Sequence, residues 1–313
     1  MWMIEADAIR GVVVPVATPL AEDESVDERA LARLIAHLTE GGVHGLFLFG
    51  TTGEAARLDD EQKRAAAEAA IAANGGRLPV FFGVSDCGTR KVIRNIRWAE
   101  RMGADVIVCT LPYYFPVRDP REQLAFFEAV LGSTELPVML YNIPSTINAE
   151  IDPEVVRKLS GVSNMIGIKD SGGNAEYLRR LTELAGEGGF KVLVGDESLS
   201  LQGLRMGAHG LVPSLANVWP ALLVDLYESC LRGDDKKAEY LQARLDEINR
   251  FNDCSQSWLS ALIFRKKALS MLGICGEKLA EPYLKPDEET VRRMEAAIRR
   301  WQAEFADSGN PAR

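Results

Sequence analysis

The sequence predicts an α/β fold, a (β/α)8 TIM barrel with a C-terminal helical extension. From residue 11 onward, eight short runs rich in Val and Ile alternate with longer segments of helical period. These runs are apolar throughout, which is typical of parallel strands buried on both faces. No further strand-like run follows Trp219. Eight such units close naturally into a barrel, and an open doubly wound sheet is the alternative.

Each predicted strand is followed by a predicted helix. The predicted strands cover residues 11–17, 45–49, 79–83, 105–109, 137–141, 165–169, 191–195 and 210–213. The predicted helices between them cover residues 27–40, 59–73, 89–102, 121–131, 153–159, 175–185 and 199–206. The residues at N-cap or first-turn positions are Asp27, Asp59 and Thr89, and the glycines at C-terminal stops are Gly41, Gly103 and Gly207.

The chain is expected to divide into a catalytic barrel over residues 1–232 and a C-terminal helical extension over residues 233–313. An eighth barrel helix follows Trp219, and three helical periods follow it, over residues 234–251, 257–272 and 287–305. The polar end over residues 307–313 should fray.

Composition and charge narrow the classes of function. The 313 residues carry 36 Lys and Arg against 45 Asp and Glu, a net charge of −9, which disfavours nucleic acids and anionic membranes as partners. The apolar stretch 12–20 is broken by Pro15 and Pro19, so no signal peptide or membrane span is predicted. Five cysteines without C-x-x-C spacing indicate reduced thiols and a cytoplasmic protein. The three histidines lack metal-ligand spacing, so no metal is expected.

Function in a barrel lies where the strands end, and strand two ends in Gly50-Thr51-Thr52-Gly53-Glu54. Glycine permits close backbone approach to a ligand, and Thr hydroxyls with successive N–H groups suit a carboxylate. Thr51, Thr52 and Gly53 are therefore candidates for an anion cradle. The alternative is a polar loop with a helix cap.

Strands five and six end in a tyrosine and a lysine. Tyr141 could place its phenol in the barrel mouth as a proton donor or acceptor, or it could merely pack. Lys169 follows the apolar run 165–168, where partial desolvation favours a neutral amine that can form a Schiff base with a ketone. The alternatives are a lysine that extends to water or pairs with Asp170.

Further polar groups converge on the same mouth, which independent loops would not do by chance. Tyr114 follows strand four and Ser171 follows strand six. The remaining candidates follow strands seven and eight and are Gly195, Glu197, Ser198, Val212 and Ser214.

The ordered motifs G-T-T-G-E, P-Y-Y, Y-N-I-P, G-I-K-D and G-D-E resemble those of the dihydrodipicolinate synthase / N-acetylneuraminate lyase family of class I aldolases. The resemblance runs from about residue 11 to residue 284. It implies a (β/α)8 barrel with C-terminal helices, a homotetramer or homodimer, and no metal or organic cofactor. It also implies pyruvate or another 2-keto acid and an aldehyde as substrates.

The resemblance also implies roles for matching residues. Lys169 matches the Schiff-base lysine, and Tyr141 matches the tyrosine that moves protons. Thr51 matches the hydroxyl that links this tyrosine to a second one, and Tyr114 matches that second tyrosine, which reaches in from a neighbouring subunit. The positions that match the substrate pocket are Thr52 and Gly53 at the carboxylate site and Gly195 and Val212 along its backbone.

One position departs from the pattern of dihydrodipicolinate synthases. Five residues after the tyrosine these enzymes have an arginine that binds the acidic aldehyde, and this sequence has Thr146. A threonine cannot replace the bidentate contact of arginine with a carboxylate, although Arg118 could supply a cation. We therefore expect a lyase, an aldolase or dehydratase, for a hydroxylated 2-keto-3-deoxy acid. The groups placed to hold its hydroxyls are Ser171, Glu197, Ser198 and Ser214.

Two other functions stay open on the sequence. One is dihydrodipicolinate synthase, which condenses pyruvate with aspartate semialdehyde. The other is a non-catalytic protein that binds a keto acid in the same cradle.

Overall fold

A computed structural model describes residues 9–253 and 259–308. Eight parallel strands run in sequence order around a closed barrel. The barrel closes because β1 pairs with β8, Gly11 opposite Gly210 and Val12 opposite Leu211, so the alternative of an open sheet is wrong. The strands are β1 Gly11–Pro15, β2 Gly45–Leu48, β3 Val80–Gly83, β4 Val106–Thr110, β5 Val138–Asn142, β6 Met165–Asp170, β7 Lys191–Val194 and β8 Gly210–Leu211.

Helices surround the barrel and continue beyond it. Those in the barrel are α1 Glu28–Glu40, α2 Asp60–Asn74, α3 Thr89–Met102, α4 Pro120–Leu131, α5 Pro144–Ile147, α6 Pro153–Leu159, α7 Ala175–Gly188, α8 Ser200–Arg205 and α9 Pro220–Leu231. The C-terminal helices are α10 Asp235–Asn249, α11 Ser260–Met271 and α12 Glu288–Ser308. The TIM barrel with C-terminal helices is therefore confirmed, while the division at residue 232 stays a prediction.

Local sequence signals explain where several helices begin and end. Asp27 accepts a hydrogen bond from the Ala30 amide at 2.9 Å, and Asp59 forms a reciprocal capping box with Gln62. Thr89 is the first helical residue of α3 and makes no cap, since the N-cap is Gly88. Gly103 ends α3 in the left-handed region at φ 89°, where only glycine is unstrained.

Several element ends differ from the prediction by one to three residues, and two differences are larger. Strand β8 has only two residues, and the short helix α5 interrupts the loop after β5, where Pro144 supplies a helical first residue. Some predictions fall on residues that the structure does not describe: residues 1–8, Cys254, residues 257–258 at the start of a predicted helix, and residues 309–313.

Aromatic side chains fix the C-terminal helices against the barrel. Trp301 on α12 is fully buried, and its ring lies 6.0 Å from that of Trp219, the residue before α9. Phe305 adds an edge-to-face contact with Trp219 at 5.5 Å. No helix in the described ranges is both long and apolar enough to cross a bilayer.

Candidate functional site

A cavity of about 560 Å³ opens at the carboxyl ends of the strands. This is the face on which barrel enzymes carry their sites. Most of the predicted site residues line it: Thr51, Thr52, Tyr141, Lys169, Ser171, Gly195, Glu197, Ser198, Val212 and Ser214. The geometry therefore brings together side chains that are distant in sequence.

Lys169 is the last residue but one of β6 and is only 4% exposed, so its side chain does not extend to water. Its Nζ lies 4.0 Å from the ring centroid of Tyr141 and 5.0 Å from that of Phe47. Among the residues that the structure describes, no carboxylate forms an ion pair with Lys169. The site therefore holds a buried amine against two aromatic faces, with the cavity in front of it.

Asp170 does not pair with Lys169, because successive side chains of a strand point to opposite faces. Its Oδ1 accepts hydrogen bonds from Asn142 Nδ2 at 2.7 Å and from the Gly172 amide at 3.1 Å. Burial raises the pKa of Asp170 to about 6, and the Asn142 hydrogen bond opposes that rise. Asp170 thus ties β6 to β5 behind the lysine.

Tyr141 lies beside Lys169 because β5 and β6 pair in register at these two residues. The Tyr141 hydroxyl is 3.4 Å from Thr51 Oγ1, and either oxygen could be the donor. The tyrosine therefore does more than pack: its phenol faces the cavity and has a hydroxyl partner from the loop after β2.

Gly195 is required by the crowding around the lysine. A Cβ built on Gly195 would lie 2.1 Å from Ser171 Oγ and 2.7 Å from Lys169 Cε. Any larger residue would have to displace the side chain of Lys169. The side chains of Ser171 and Lys169 therefore both pack against Gly195, on the cavity wall.

The loop after β2 is held in place by contacts with Thr18 and with Lys266 on α11. Thr18 Oγ1 donates to the Gly53 carbonyl at 2.8 Å, and Glu54 is buried in an ion pair with Lys266 Nζ at 2.7 Å. Lys266 Nζ also donates to the Thr18 carbonyl at 2.8 Å. Thr51 and Thr52 are thereby presented to the cavity by a loop that is anchored to helix α11.

Glu197 and Ser214 line the cavity but are already engaged with each other. Glu197 Oε1 accepts from Ser214 Oγ at 2.9 Å and from the Leu215 amide at 2.8 Å. Its Oε2 pairs with Arg265 Nη2 at 3.0 Å. The Glu197 carboxylate thus already has three donors, and its contact with a substrate stays a prediction.

Arg265 is the cavity residue that the sequence reasoning missed. It lies on α11, is 1% exposed and lines the cavity beside Glu197 and Asn249. It follows no strand, so a search of strand ends could not find it. The available signal was a run of three cations, Arg265, Lys266 and Lys267, between apolar residues of α11, since buried cations need partners.

Three predicted residues do not line the cavity of their own chain. Gly53 is turned so that its Cα lies against the Val16 carbonyl, which a Cβ would meet at 2.9 Å. The Thr146 hydroxyl donates to the Ile143 carbonyl at 3.0 Å within the short helix α5. Tyr114 is 82% exposed, in a loop whose backbone takes φ 78° at this residue.

Among the residues that the structure describes, Lys169 and Arg265 are the cations that line this cavity. Arg118 does not line it and donates instead to the Asn148 carbonyl at 3.2 Å. No group of three or more His, Cys, Asp or Glu side chains arranged to hold a metal ion occurs within residues 9–253 and 259–308.

An eight-stranded parallel barrel with a polar cavity at its carboxyl face is the architecture of an enzyme. A model of the dihydrodipicolinate synthetase family matches residues 8–301. The chain belongs to this family and is one of its lyases.

Relatives with curated names share much of the chain. The 4-hydroxy-tetrahydrodipicolinate synthase of Alcanivorax borkumensis is 36% identical over 243 residues, 77% of this chain and 82% of the relative. The enzyme of the same name from Methanothrix thermoacetophila is 33% identical over 287 residues, 91% of this chain and 94% of the relative.

Solved structures agree with the fold. YagE, a prophage protein of this family from E. coli K12 crystallised with pyruvate, has a TM-score of 0.88 at 30% identity. The comparison covers 94% of this chain and 99% of YagE. The dihydrodipicolinate synthase of Bacteroides thetaiotaomicron also has a TM-score of 0.88, at 32% identity, over 93% of this chain and 98% of that structure.

Proposed function

We propose that this protein is a Schiff-base-forming lyase that uses Lys169 to bind the keto carbon of pyruvate or of a hydroxylated 2-keto-3-deoxy acid. The observation that carries the proposal is the buried Lys169 amine, 4.0 Å from the Tyr141 ring, at the wall of the cavity. From this position Nζ can reach the keto carbon of a substrate bound in the cavity, as a Schiff-base lysine must.

The reaction begins when Lys169 Nζ attacks the keto carbon and water leaves, giving a protonated imine. In cleavage, the hydroxyl on C4 gives up its proton, the C3–C4 bond breaks, and the electron pair moves into the imine to form an enamine. An aldehyde departs, the enamine takes a proton at C3, and hydrolysis returns pyruvate and the free lysine. Dehydration starts from the same imine with loss of the C3 proton and the C4 hydroxyl.

Tyr141 moves these protons, since its phenol faces the cavity and shares a hydrogen bond with Thr51. A positioned acid–base group of this kind contributes roughly 10² to 10⁴ in rate. Thr51 and Thr52 hold the carboxylate of the keto acid next to the imine, on the loop that Glu54 anchors.

The second substrate is proposed to be hydroxylated rather than acidic. Thr146 replaces the arginine that would bind a carboxylated aldehyde, and its hydroxyl is turned toward the Ile143 carbonyl. Ser171 and Ser198 line the cavity and present hydroxyls, which suit a polyol chain.

The second candidate function is 4-hydroxy-tetrahydrodipicolinate synthase, which the names of curated relatives favour. The deciding experiment measures kcat/KM with pyruvate plus aspartate semialdehyde and with a panel of 2-keto-3-deoxy sugar acids under one condition. Our proposal predicts the higher value with a sugar acid. An equal or higher value of kcat/KM with aspartate semialdehyde would contradict our proposal and support the synthase function.

A non-catalytic keto-acid-binding protein is the remaining alternative. Borohydride reduction in the presence of pyruvate, read by intact mass, distinguishes a Schiff-base-forming enzyme from a non-catalytic binding protein. Only an imine can be reduced to a permanent adduct. Absence of the adduct together with pyruvate binding would support a sensor.

Tyr114 is proposed to act in a second copy of this chain, in a homodimer or homotetramer. Support comes from its 82% exposure and its edge-to-face contact with Phe115, which is 75% exposed, at the barrel mouth.

Mixing inactive Lys169→Ala subunits with weakened Tyr114→Phe subunits tests whether Tyr114 acts across subunits. Mixed oligomers should recover activity, because an intact lysine then meets an intact tyrosine from the partner. No recovery in verified mixed oligomers would contradict a role across subunits.

A further inference from the structure

A buried side-chain amide joins two loops at the mouth of the barrel. Gln123, on the first turn of α4, is 1% exposed, although glutamine side chains are mostly exposed in proteins. Its Nε2 donates to the Val117 carbonyl at 3.1 Å and to the Glu150 carbonyl at 2.9 Å, and its Oε1 accepts from the Asp152 amide at 2.9 Å. Gln123 therefore connects the loop that follows β4 to the loop that follows β5.

A second contact joins the same two loops, which cover residues 111–119 and 143–152. Arg118 Nε donates to the Asn148 carbonyl at 3.2 Å. Because Arg118 is exposed, water competes for this hydrogen bond, whereas the amide of Gln123 is shielded from solvent. Gln123 is therefore the stronger of the two connections.

The loop after β5 is fixed to the barrel close to where it meets Gln123. Asn142 Oδ1, on β5, accepts from the Ile151 amide at 3.0 Å, and the Tyr177 hydroxyl donates to the Ile151 carbonyl at 2.6 Å. The amide of Asn142 also donates to Asp170 on β6. Gln123 thus holds the loop after β4 against a part of the chain that is tied to β5 and β6.

The loop after β4 needs such an anchor because its backbone is strained. Tyr114 has φ 78°, a left-handed conformation that is unfavourable for a residue other than glycine. The side chains of Tyr114 and Phe115 are 82% and 75% exposed, so neither fixes the loop within its own chain. A strained conformation persists only where the surrounding structure determines it. The hydrogen bond from Gln123 to the Val117 carbonyl, three residues beyond Tyr114, supplies this constraint.

We infer that Gln123 is a positioning residue that sets the place of Tyr114 in the reaction. Gln123 does not line the cavity, and it acts by holding the strained loop that carries the tyrosine. The inference rests on the proposed function, since it concerns the proton path to which Tyr114 belongs. Loss of the Gln123 amide should therefore lower turnover while the binding of pyruvate at Lys169 is kept.

Gln123→Met tests the inference, because it removes the three hydrogen bonds and keeps an unbranched side chain of similar length. Hydrogen exchange, read by mass spectrometry, should be faster by about tenfold or more in the amides of residues 112–118. The value of kcat with the preferred substrate should fall by about tenfold to a hundredfold, since a small displacement of a reacting group costs this much. The borohydride-dependent pyruvate adduct should form as in the native protein.

The decisive measurement repeats Gln123→Met in a Tyr114→Phe background. If Gln123 acts through the Tyr114 hydroxyl, the background variant has no hydroxyl left to misplace. The kcat of the double variant should then equal that of Tyr114→Phe alone. A role of Gln123 through the loop after β5, or in stability alone, would lower kcat by the same factor in both backgrounds.

Asn164→Leu is the matched control for a lost side-chain amide. Asn164 Nδ2 donates to the Leu131 and Thr134 carbonyls at 3.1 and 2.9 Å, at the amino-terminal end of the barrel. This variant should lose thermal stability as Gln123→Met does but keep the native kcat. If Gln123→Met does not fold, Arg118→Met removes the exposed connection instead. It should lower kcat by a smaller factor, and not at all in the Tyr114→Phe background.

The possible failures of the two proposals give different results. A native protein that does not trap pyruvate would overturn the proposed function, whereas the exchange rates report on the loop whatever the reaction is. With trapping intact, this inference alone would be overturned by a native kcat in Gln123→Met, by unchanged exchange in residues 112–118, or by equal factors in the two backgrounds. Light scattering supplies the last check, since a variant that dissociates would assign Gln123 to assembly and overturn the inference.

Discussion

Lys169 Nζ lies 4.0 Å from the ring centroid of Tyr141, and the two residues are direct partners in the register of β5 and β6. The contact is therefore set by backbone pairing rather than by flexible side chains. Under the proposed function, this placement on neighbouring strands gives the nucleophile and the acid–base group a fixed separation, which preorganises the reaction.

Lys169→Ala should abolish the borohydride-dependent pyruvate adduct while the fold remains intact. The substitution removes a functional amine from the cavity wall, and the free energy of unfolding should fall by only about 1 kcal/mol. Intact mass and thermal unfolding provide the two measurements. Lys158→Ala, at an exposed position on α6, is the matched control and should keep the adduct. An adduct that persists in Lys169→Ala would assign the nucleophile to another residue.

Tyr141→Phe should keep pyruvate binding but lower kcat by roughly 10² to 10⁴, because only the proton-carrying hydroxyl is lost. Steady-state kinetics with the preferred substrate measure this. Tyr240→Phe, on the exposed face of α10, should behave like the native enzyme. Near-native turnover of Tyr141→Phe would place the proton path elsewhere.

Gly195→Ala should block adduct formation, since the new methyl group would overlap both Ser171 Oγ and Lys169 Cε. The overlap should push the lysine out of its position, so trapping rates with pyruvate should fall more than thermal stability does. Gly186→Ala on α7 is the control, because a Cβ at that position meets nothing within 4 Å. Trapping at the native rate in Gly195→Ala would show that the lysine can adjust.

Asp170→Asn should raise the free energy of unfolding relative to that of the native protein, and this gain should grow as the pH rises from 4 to 7. The folded-state pKa of about 6 exceeds the ordinary value of 3.8, so the folded protein holds a proton that the unfolded chain releases. The favourable contribution of Asp170 is therefore present below about pH 4 and is lost as the pH rises through 6. Asparagine has no charge to bury, and the gain at pH 7 should be on the order of 2 to 3 kcal/mol. Denaturant unfolding of both proteins from pH 4 to pH 7 measures the difference in their free energies of unfolding. A difference that does not change with pH would contradict the raised pKa of Asp170.

Lys266→Met should destabilise the protein by about 3 to 5 kcal/mol, because it leaves the Glu54 carboxylate buried without its cation. Adding Glu54→Gln should recover part of that loss. A double-mutant cycle, measured by denaturant unfolding, gives the coupling free energy between Lys266 and Glu54. The exposed pair Lys237 and Asp225 is the control, and Lys237→Met should change stability by less than about 1 kcal/mol. Equal effects of the two lysine substitutions would mean that the Glu54 pair contributes little.

The sequence carried enough information to predict the barrel and the Lys169–Tyr141 centre. Unbroken apolar runs identify parallel strands, and the ends of such strands must meet at one face, so residues that follow them can be placed without coordinates. Arg265 could not be placed in this way, since it reaches Glu197 across 68 residues of sequence from a helix outside the barrel. Thr146 was predicted as a substrate-binding position, but its hydroxyl donates to the Ile143 carbonyl in the short helix α5. A helix of four residues has too little periodicity to be detected in the sequence.

Arg265 and Lys266 are adjacent residues of α11, yet they reach carboxylates that follow β7 and β2 respectively. Adjacent positions on a helix point in directions about 100° apart, so one turn of α11 can span two distant loops of the mouth. The loops after β2 and β7 are therefore not independent modules that can be exchanged one at a time. Grafting either loop from a relative without its matching α11 residue would leave a buried carboxylate or cation stranded. In this barrel, each of these loops and the α11 residue that pairs with it have to be exchanged together.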